Sequence, residues 1–173
     1  MAGLVWIAEG LSMAGTGKPA AQRVFLVVVD ESEEMRLALR YASLRAKSVG
    51  GRVALLYVIE PSDFVQWMAV EDLEKEERRA AAETLMQELA NEVNRITNTM
   101  PMLYLREGSR RDELLKLIAE DPTITILVLA ASTAPTGPGP LIQALTSKFI
   151  NKLRVPVTIV PGNLTEEQLE ALT

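Results

Sequence analysis

The chain has 173 residues, 48% of them hydrophobic, and a formal net charge of −5. That length and apolar content suit one domain with a full core, and the acid excess argues against a broad nucleic-acid surface, which needs cations to replace counterions. It has neither Cys nor His, which excludes disulfides, thiolate or imidazole metal sites, Cys nucleophiles and Ser-His-Asp chemistry.

Residues 1–22 read as a mobile or loosely docked extension. Their apolar opening is interrupted by Glu9 and lacks the basic start of a signal peptide. Met13 offers an alternative start. Arg23 to Val29 (R-V-F-L-V-V-V) is a β-branched run of the kind buried on both faces of a parallel sheet. The longest apolar stretch, Val53 to Ile59, is strand-sized, as is Val24 to Val29, far short of the ~18 residues of a membrane span. Asp30 ends this first strand. Ser32 then suits an N-cap, with Glu33 and Glu34 where the helix dipole favours acid. Met35, Ala38, Leu39, Ala42, Ala46 and Val49 follow helical spacing, and Gly50-Gly51 stops the helix.

Arg52 to Ile59 predicts the second strand. The apolar patch Phe64 to Val70 reads as packing over a sheet edge or helix end, or else as a lid or partner surface. Glu71 to about Thr97 predicts the longest helix. Its apolar stripe is Ala82, Met86, Leu89, Val93 and Ile96, and its charged start carries pairs such as Glu74–Arg78. Met102 to Arg106 is the third strand. Ser109 and Asp112 resemble a capping box for a helix that buries Leu114, Leu115, Leu117 and Ile118. Thr125 to Leu129 is the fourth strand, and Ala130 to Pro140 a loop rich in small residues. Leu141 to about Lys152 predicts one helix. Val157 to Val160 is the fifth strand, and Thr165 to Gln168 a capping box that opens a tail helix reaching Leu172.

Alternating strands and helices call for an α/β fold, an open parallel sheet with right-handed crossovers and helices on both faces. Ligands in such sheets bind beyond the carboxyl ends of the strands, at a switch point. Here that point falls between the first and fourth strands, so Asp30 and the Ala130 loop share one crevice. Asp30 has two readings. It either caps the turn into its helix or contacts a ligand.

V-V-V-D-E-S-E-E, L-L-Y-V-I-E-P, R-E-G-S-R and V-P-V-T-I-V, spread over about Arg23 to Val160, resemble the universal stress protein family. The resemblance implies a five-stranded parallel sheet in the order 3-2-1-4-5, of the adenine-nucleotide alpha-hydrolase-like kind. It sets the domain at 23–161, with 162–173 as a C-terminal tail helix. It also implies a homodimer through the last strand, Val157 to Val160. ATP-binding members carry Gly, two residues, Gly, nine residues, then Gly with Ser or Thr. A gapless match places those positions on Ala130, Thr133, Gln143 and Ala144. Thr146 keeps a nearby hydroxyl, Asp30 the carboxylate that contacts the nucleoside, and Val58 the position of a backbone contact to adenine.

The adenosine end thus looks retained and the phosphate end dismantled. Side chains at 133 and 143 fill space that glycine leaves open, with Gln143 the more obstructive. Pro135, Pro138 and Pro140 each remove a backbone donor. No Lys or Arg lies between Lys116 and Lys148. Gly137, Gly139 and the hydroxyls of Ser132, Thr133 and Thr136 leave room for a smaller anion or a mononucleotide. The expectation is a cytoplasmic stress-response module, a non-catalytic dimer acting through protein partners that the sequence does not identify. Its ATP binding is impaired, and no cofactor, metal, nucleic acid or membrane is expected. The alternative is a switch or slow ATPase that binds ATP or AMP. A nucleotidyl-transfer enzyme is weaker still, because no basic phosphate motif is visible.

Overall fold

The structure, a computed structural model, describes residues 22–61 and 68–173. The expectations for residues 1–21 and for residues 64–67 of the apolar patch lie outside the described residues. Five strands, Val24–Val29 (β1), Arg52–Ile59 (β2), Met102–Glu107 (β3), Ile124–Ala131 (β4) and Val157–Pro161 (β5), form one sheet in the order β3-β2-β1-β4-β5. Every pairing is parallel. β1 is central, and all six of its residues are buried. Its β-branched run is what a strand covered on both faces requires.

Alternation along β1 divides the core. Phe25, Val27 and Val29 face the helices Glu33–Val49 (α1) and Met68–Thr97 (α2), meeting Leu39, Ala42, Met86 and Leu89. Val24, Leu26 and Val28 face the helices Arg110–Glu120 (α3) and Pro140–Ala144 (α4), meeting Leu114, Leu117, Ile142 and Leu145. Each fully buried leucine contributes about 1.5–3 kcal/mol over an exposed one.

The helix signals hold with two exceptions. Ser32 caps α1 by accepting from the Met35 amide at 3.2 Å, and α1 ends at Gly50. Glu74 and Arg78 pair across one turn of α2, which begins at Met68 rather than Glu71.

The first exception is Ser109. Its side chain caps no backbone amide; instead Glu60 Oε1 accepts from the Arg110 amide at 3.2 Å. The second is the stretch expected as one helix from Leu141 to Lys152. α4 gives way to a wide π-helical turn over Leu145–Phe149 and a 3₁₀ turn over Ile150–Lys152. The hydroxyls of Thr146 and Ser147 donate back to the carbonyls of Ile142 (2.7 Å) and Gln143 (2.6 Å). Such back-bonding loosens and bends helices.

The tail helix, Glu166–Ala171 (α5), opens with the expected capping box. It packs on α1 through fully buried Leu169, and Arg40 pairs with Glu170 at 3.1 Å. β5 therefore keeps an outer edge that no described strand covers, with Ile159 40% exposed. The opposite edge, β3, carries charge: Glu107 pairs with Lys75 (2.9 Å) and Arg79 (3.4 Å), and Arg106 with Glu120 (2.8 Å).

Candidate functional site

The carboxyl ends of β1 and β4 diverge to open a cleft of about 260 Å³. Asp30, Ser32, Glu34 and Met35 form one wall, and Ala130, Ser132 and the loop Thr136–Pro140 the other. Asp30 follows β1, and its Oδ1 accepts from the Ser32 amide (2.9 Å) and hydroxyl (2.5 Å). The turn-capping reading of Asp30 is thus realised. Its Oδ2 has no hydrogen-bond partner among the described residues.

The remaining site candidates scatter. Val58 is buried and lines a neighbouring hollow of about 300 Å³ with Glu31, Tyr57 and Glu60. Thr133 turns away from the cleft: its amide and hydroxyl donate to Glu34 Oε1 at 3.2 and 3.4 Å. Gln143 is exposed and folds over the loop, donating from Nε2 to the Thr136 carbonyl at 3.4 Å. A Cβ on Gly137 would come within 2.7 Å of that nitrogen, so glycine, here at φ 109°, is what lets Gln143 lie there. Ala144 is half-buried, and Thr146 bonds only to its own helix.

The loop's backbone donors can be followed one by one. Ser132 donates to the Pro138 carbonyl (3.1 Å), Ala134 to the Ser132 hydroxyl (3.1 Å), and Gly137 to the Ala134 carbonyl (3.1 Å). Thr133 is held by Glu34, and the three prolines have no N–H to offer; the amides of Thr136 and Gly139, two residues that line the cleft, have no hydrogen-bond partner among the described residues.

One residue in the crevice was not visible as a candidate. Arg110 opens α3, lines both the cleft and the Val58 hollow, and pairs with Glu60 Oε2 at 3.3 Å. Its Nε is buried with no partner among the described residues. The residue lies outside the loop in sequence, at the start of α3. The sheet topology supplies the signal, because every β–α junction of a parallel sheet emerges at the same end.

Electrostatics add a second feature. The Glu34 carboxyl is held below the usual carboxylate range. Its own backbone N–H is the largest cause and the Thr133 N–H the next; desolvation opposes them, and the Thr133 hydroxyl adds a smaller pull. Among the described residues no cluster of acidic side chains could hold a metal ion, and no helix is long and apolar enough to cross a membrane.

A model of the universal stress protein family matches residues 22–161. The chain belongs to that family. Among solved structures, this universal stress protein is similar to the UspA protein of Lactobacillus plantarum. The TM-score is 0.68 at 17% identity, over 81% of this chain and 97% of that one. A universal stress protein solved in complex with cAMP gives 0.59 at 16%, over 83% and 100%. The Archaeoglobus fulgidus universal stress protein in complex with dAMP gives 0.52 at 14%, over 80% and 97%. At these identities the likeness is one of fold. No curated protein sequence matches the chain.

Proposed function

We propose that this universal stress protein is a non-catalytic, dimeric stress-response module. Its cleft accepts an adenosine monophosphate and disfavours ATP. The observation that carries the second half is the state of the loop donors. The amides of Ser132, Thr133, Ala134 and Gly137 already have partners inside the protein, so a phosphate chain that needs more than the unpartnered amides of Thr136 and Gly139 must break them. Each broken bond forfeits on the order of 1 kcal/mol. The adenosine end keeps what the resemblance asks for. Asp30 Oδ2 is available for a ribose hydroxyl, and Val58 lies in the adjoining hollow. Arg110, between the two hollows, supplies one cation, suited to one phosphate. Relatives of the same fold solved with cAMP and dAMP agree with a mononucleotide.

Calorimetric titration of the full chain with AMP and with ATP, with and without magnesium, tests this reading. AMP binding tighter than ATP binding is the expected result. Arg110→Ala should weaken AMP by about tenfold or more, the loss of one charge-assisted hydrogen bond. Micromolar ATP affinity in the wild-type protein would overturn the reading in favour of an ATP-dependent switch or slow ATPase.

The dimer rests on the outer edge of β5, where Ile159 stands exposed and the backbone has no strand partner among the described residues. Such edges invite pairing with a second strand. Light scattering at micromolar concentration should give twice the chain mass, and Ile159→Lys, which places a charge in the seam, should give the chain mass. A wild-type monomer would sink it.

A further inference from the structure

We propose that Glu60 is a resident counter-ion that holds Arg110 back from the cleft, so that it sets how tightly the site takes a phosphate without changing how it takes a nucleoside. This role rests on the use of Arg110 by a phosphate proposed above; the variants that test it separate the two readings.

Among the described residues that line the cleft, Arg110 is the only cation, and Asp30 and Glu34 set two carboxylates against it. Its charge already has a partner. Glu60 follows β2 and engages residue 110 twice: Oε1 accepts from the Arg110 amide at 3.2 Å, and Oε2 pairs with a terminal guanidinium nitrogen at 3.3 Å. Glu60 borders the Val58 hollow and not the cleft, so the pair draws the guanidinium toward the hollow.

The hold is loose. Well-formed charge-assisted bonds measure about 2.7–2.9 Å, and the two side chains here are 32% and 50% exposed. A pair of that kind shifts an equilibrium by up to about fivefold. It also leaves the guanidinium fork half used. Nε is buried with no partner among the described residues, an unfavourable state for a donor. A phosphate presents several oxygens and takes an arginine through two parallel N–H groups. Freed from Glu60, the fork can turn and give Nε the acceptor it lacks. Oε1 can stay on the Arg110 amide while Oε2 releases the side chain, so the exchange does not uncap α3.

The test is titration of the full chain with inorganic phosphate, followed by phosphorus NMR, and with adenosine and AMP, followed by calorimetry. Wild type, Glu60→Gln, Arg110→Ala and the double variant are compared, each checked by thermal melting. Glu60→Gln keeps an acceptor for the Arg110 amide and removes the charge. It should bind phosphate and AMP about three- to fivefold more tightly than wild type, with adenosine within about twofold. In the Arg110→Ala background the same change should alter phosphate and AMP binding by less than about twofold. A folded Glu60→Gln with no gain overturns the proposal, as does a gain that survives without Arg110 or one that adenosine shares equally. Should Glu60→Gln melt early, Glu60→Asp, which draws the carboxylate back by one methylene, must show a gain of the same sign. If Arg110→Ala weakens AMP and Glu60→Gln gains nothing, the proposed function stands and the role of Glu60 falls. If neither AMP nor adenosine binds any form while Glu60→Gln gains phosphate through Arg110, the role of Glu60 stands and the adenosine assignment falls.

Discussion

Leu127→Ala should destabilise the protein by about 3–4 kcal/mol, the usual range for a leucine removed from a packed core. Leu127 lies on β4 with no exposed surface, packed among Leu26, Leu114, Leu117 and Leu145. These neighbours come from the central strand, from α3 and from the turn after α4, so no single element can shift to refill the space. Denaturant unfolding should show an unchanged slope and a lower midpoint. Thermal unfolding should move down by roughly 10 °C for a chain of this size. Leu103, on edge strand β3 and 42% exposed, is the contrast. Its replacement by alanine should change stability by no more than about 0.5 kcal/mol. Equal effects at the two positions would mean that β4 is not packed as described.

Arg154→Ala should cost about 2–3 kcal/mol, although the residue is exposed. Its guanidinium donates to three backbone carbonyls: Ile118 at 2.8 Å, Ile124 at 3.1 Å, and Asp121. These carbonyls close α3, form the turn after it and open β4. One side chain therefore ties a helix end, a turn and a strand start to the segment entering β5. Removing it leaves carbonyls of two buried residues, Ile118 and Ile124, without that donor. Arg154→Lys should recover less than half of the loss, because a single ammonium cannot reproduce a planar fork across three acceptors. Urea unfolding of the three proteins decides the matter. A lysine variant as stable as wild type would reduce the interaction to simple charge.

Much of the fold was legible because local chemistry and global packing agree. The unbroken β-branched run of β1 announced burial on both faces. Ser32, Gly50 and the Thr165–Gln168 box fixed helix ends through bonds that span only a few residues. What failed locally had a visible competitor. Ser109 looked like a cap, but the amide of Arg110 is taken by Glu60, distant in sequence. Leu141 to Lys152 had helical spacing, yet Thr146 and Ser147 carry hydroxyls that reach back to the helix carbonyls.

The cleft was less legible, for a different reason. Asp30 and the loop after β4 could be brought together from topology alone, although β4 runs through Ala130 and Ala131 and the loop begins only at Ser132. Arg110 could have been, since α3 begins at the same end of the sheet. The Glu34–Thr133 contact joins residues 99 apart, and no spacing rule connects them. Thr133 and Gln143 stand where the resemblance expects glycine, so the sequence places their side chains in the phosphate space. Both instead lie off the cleft wall, engaged with Glu34 and with Thr136.

The two rims of the sheet differ in a way that bears on growth. β5 presents exposed Ile159 and bare backbone, whereas β3 is studded with paired charges from Lys75, Arg79, Glu107 and Arg106. If two copies join β5 to β5 about a two-fold axis, each hides its adhesive rim and turns its charged rim outward. The resulting ten-stranded layer would end on both sides in β3, an edge that no described strand covers and on which Leu103 is 42% exposed. What would discourage a further strand there is the row of charged side chains, the usual guard on an open edge. Charge on that rim, not a closed edge, would hold such an assembly to a pair.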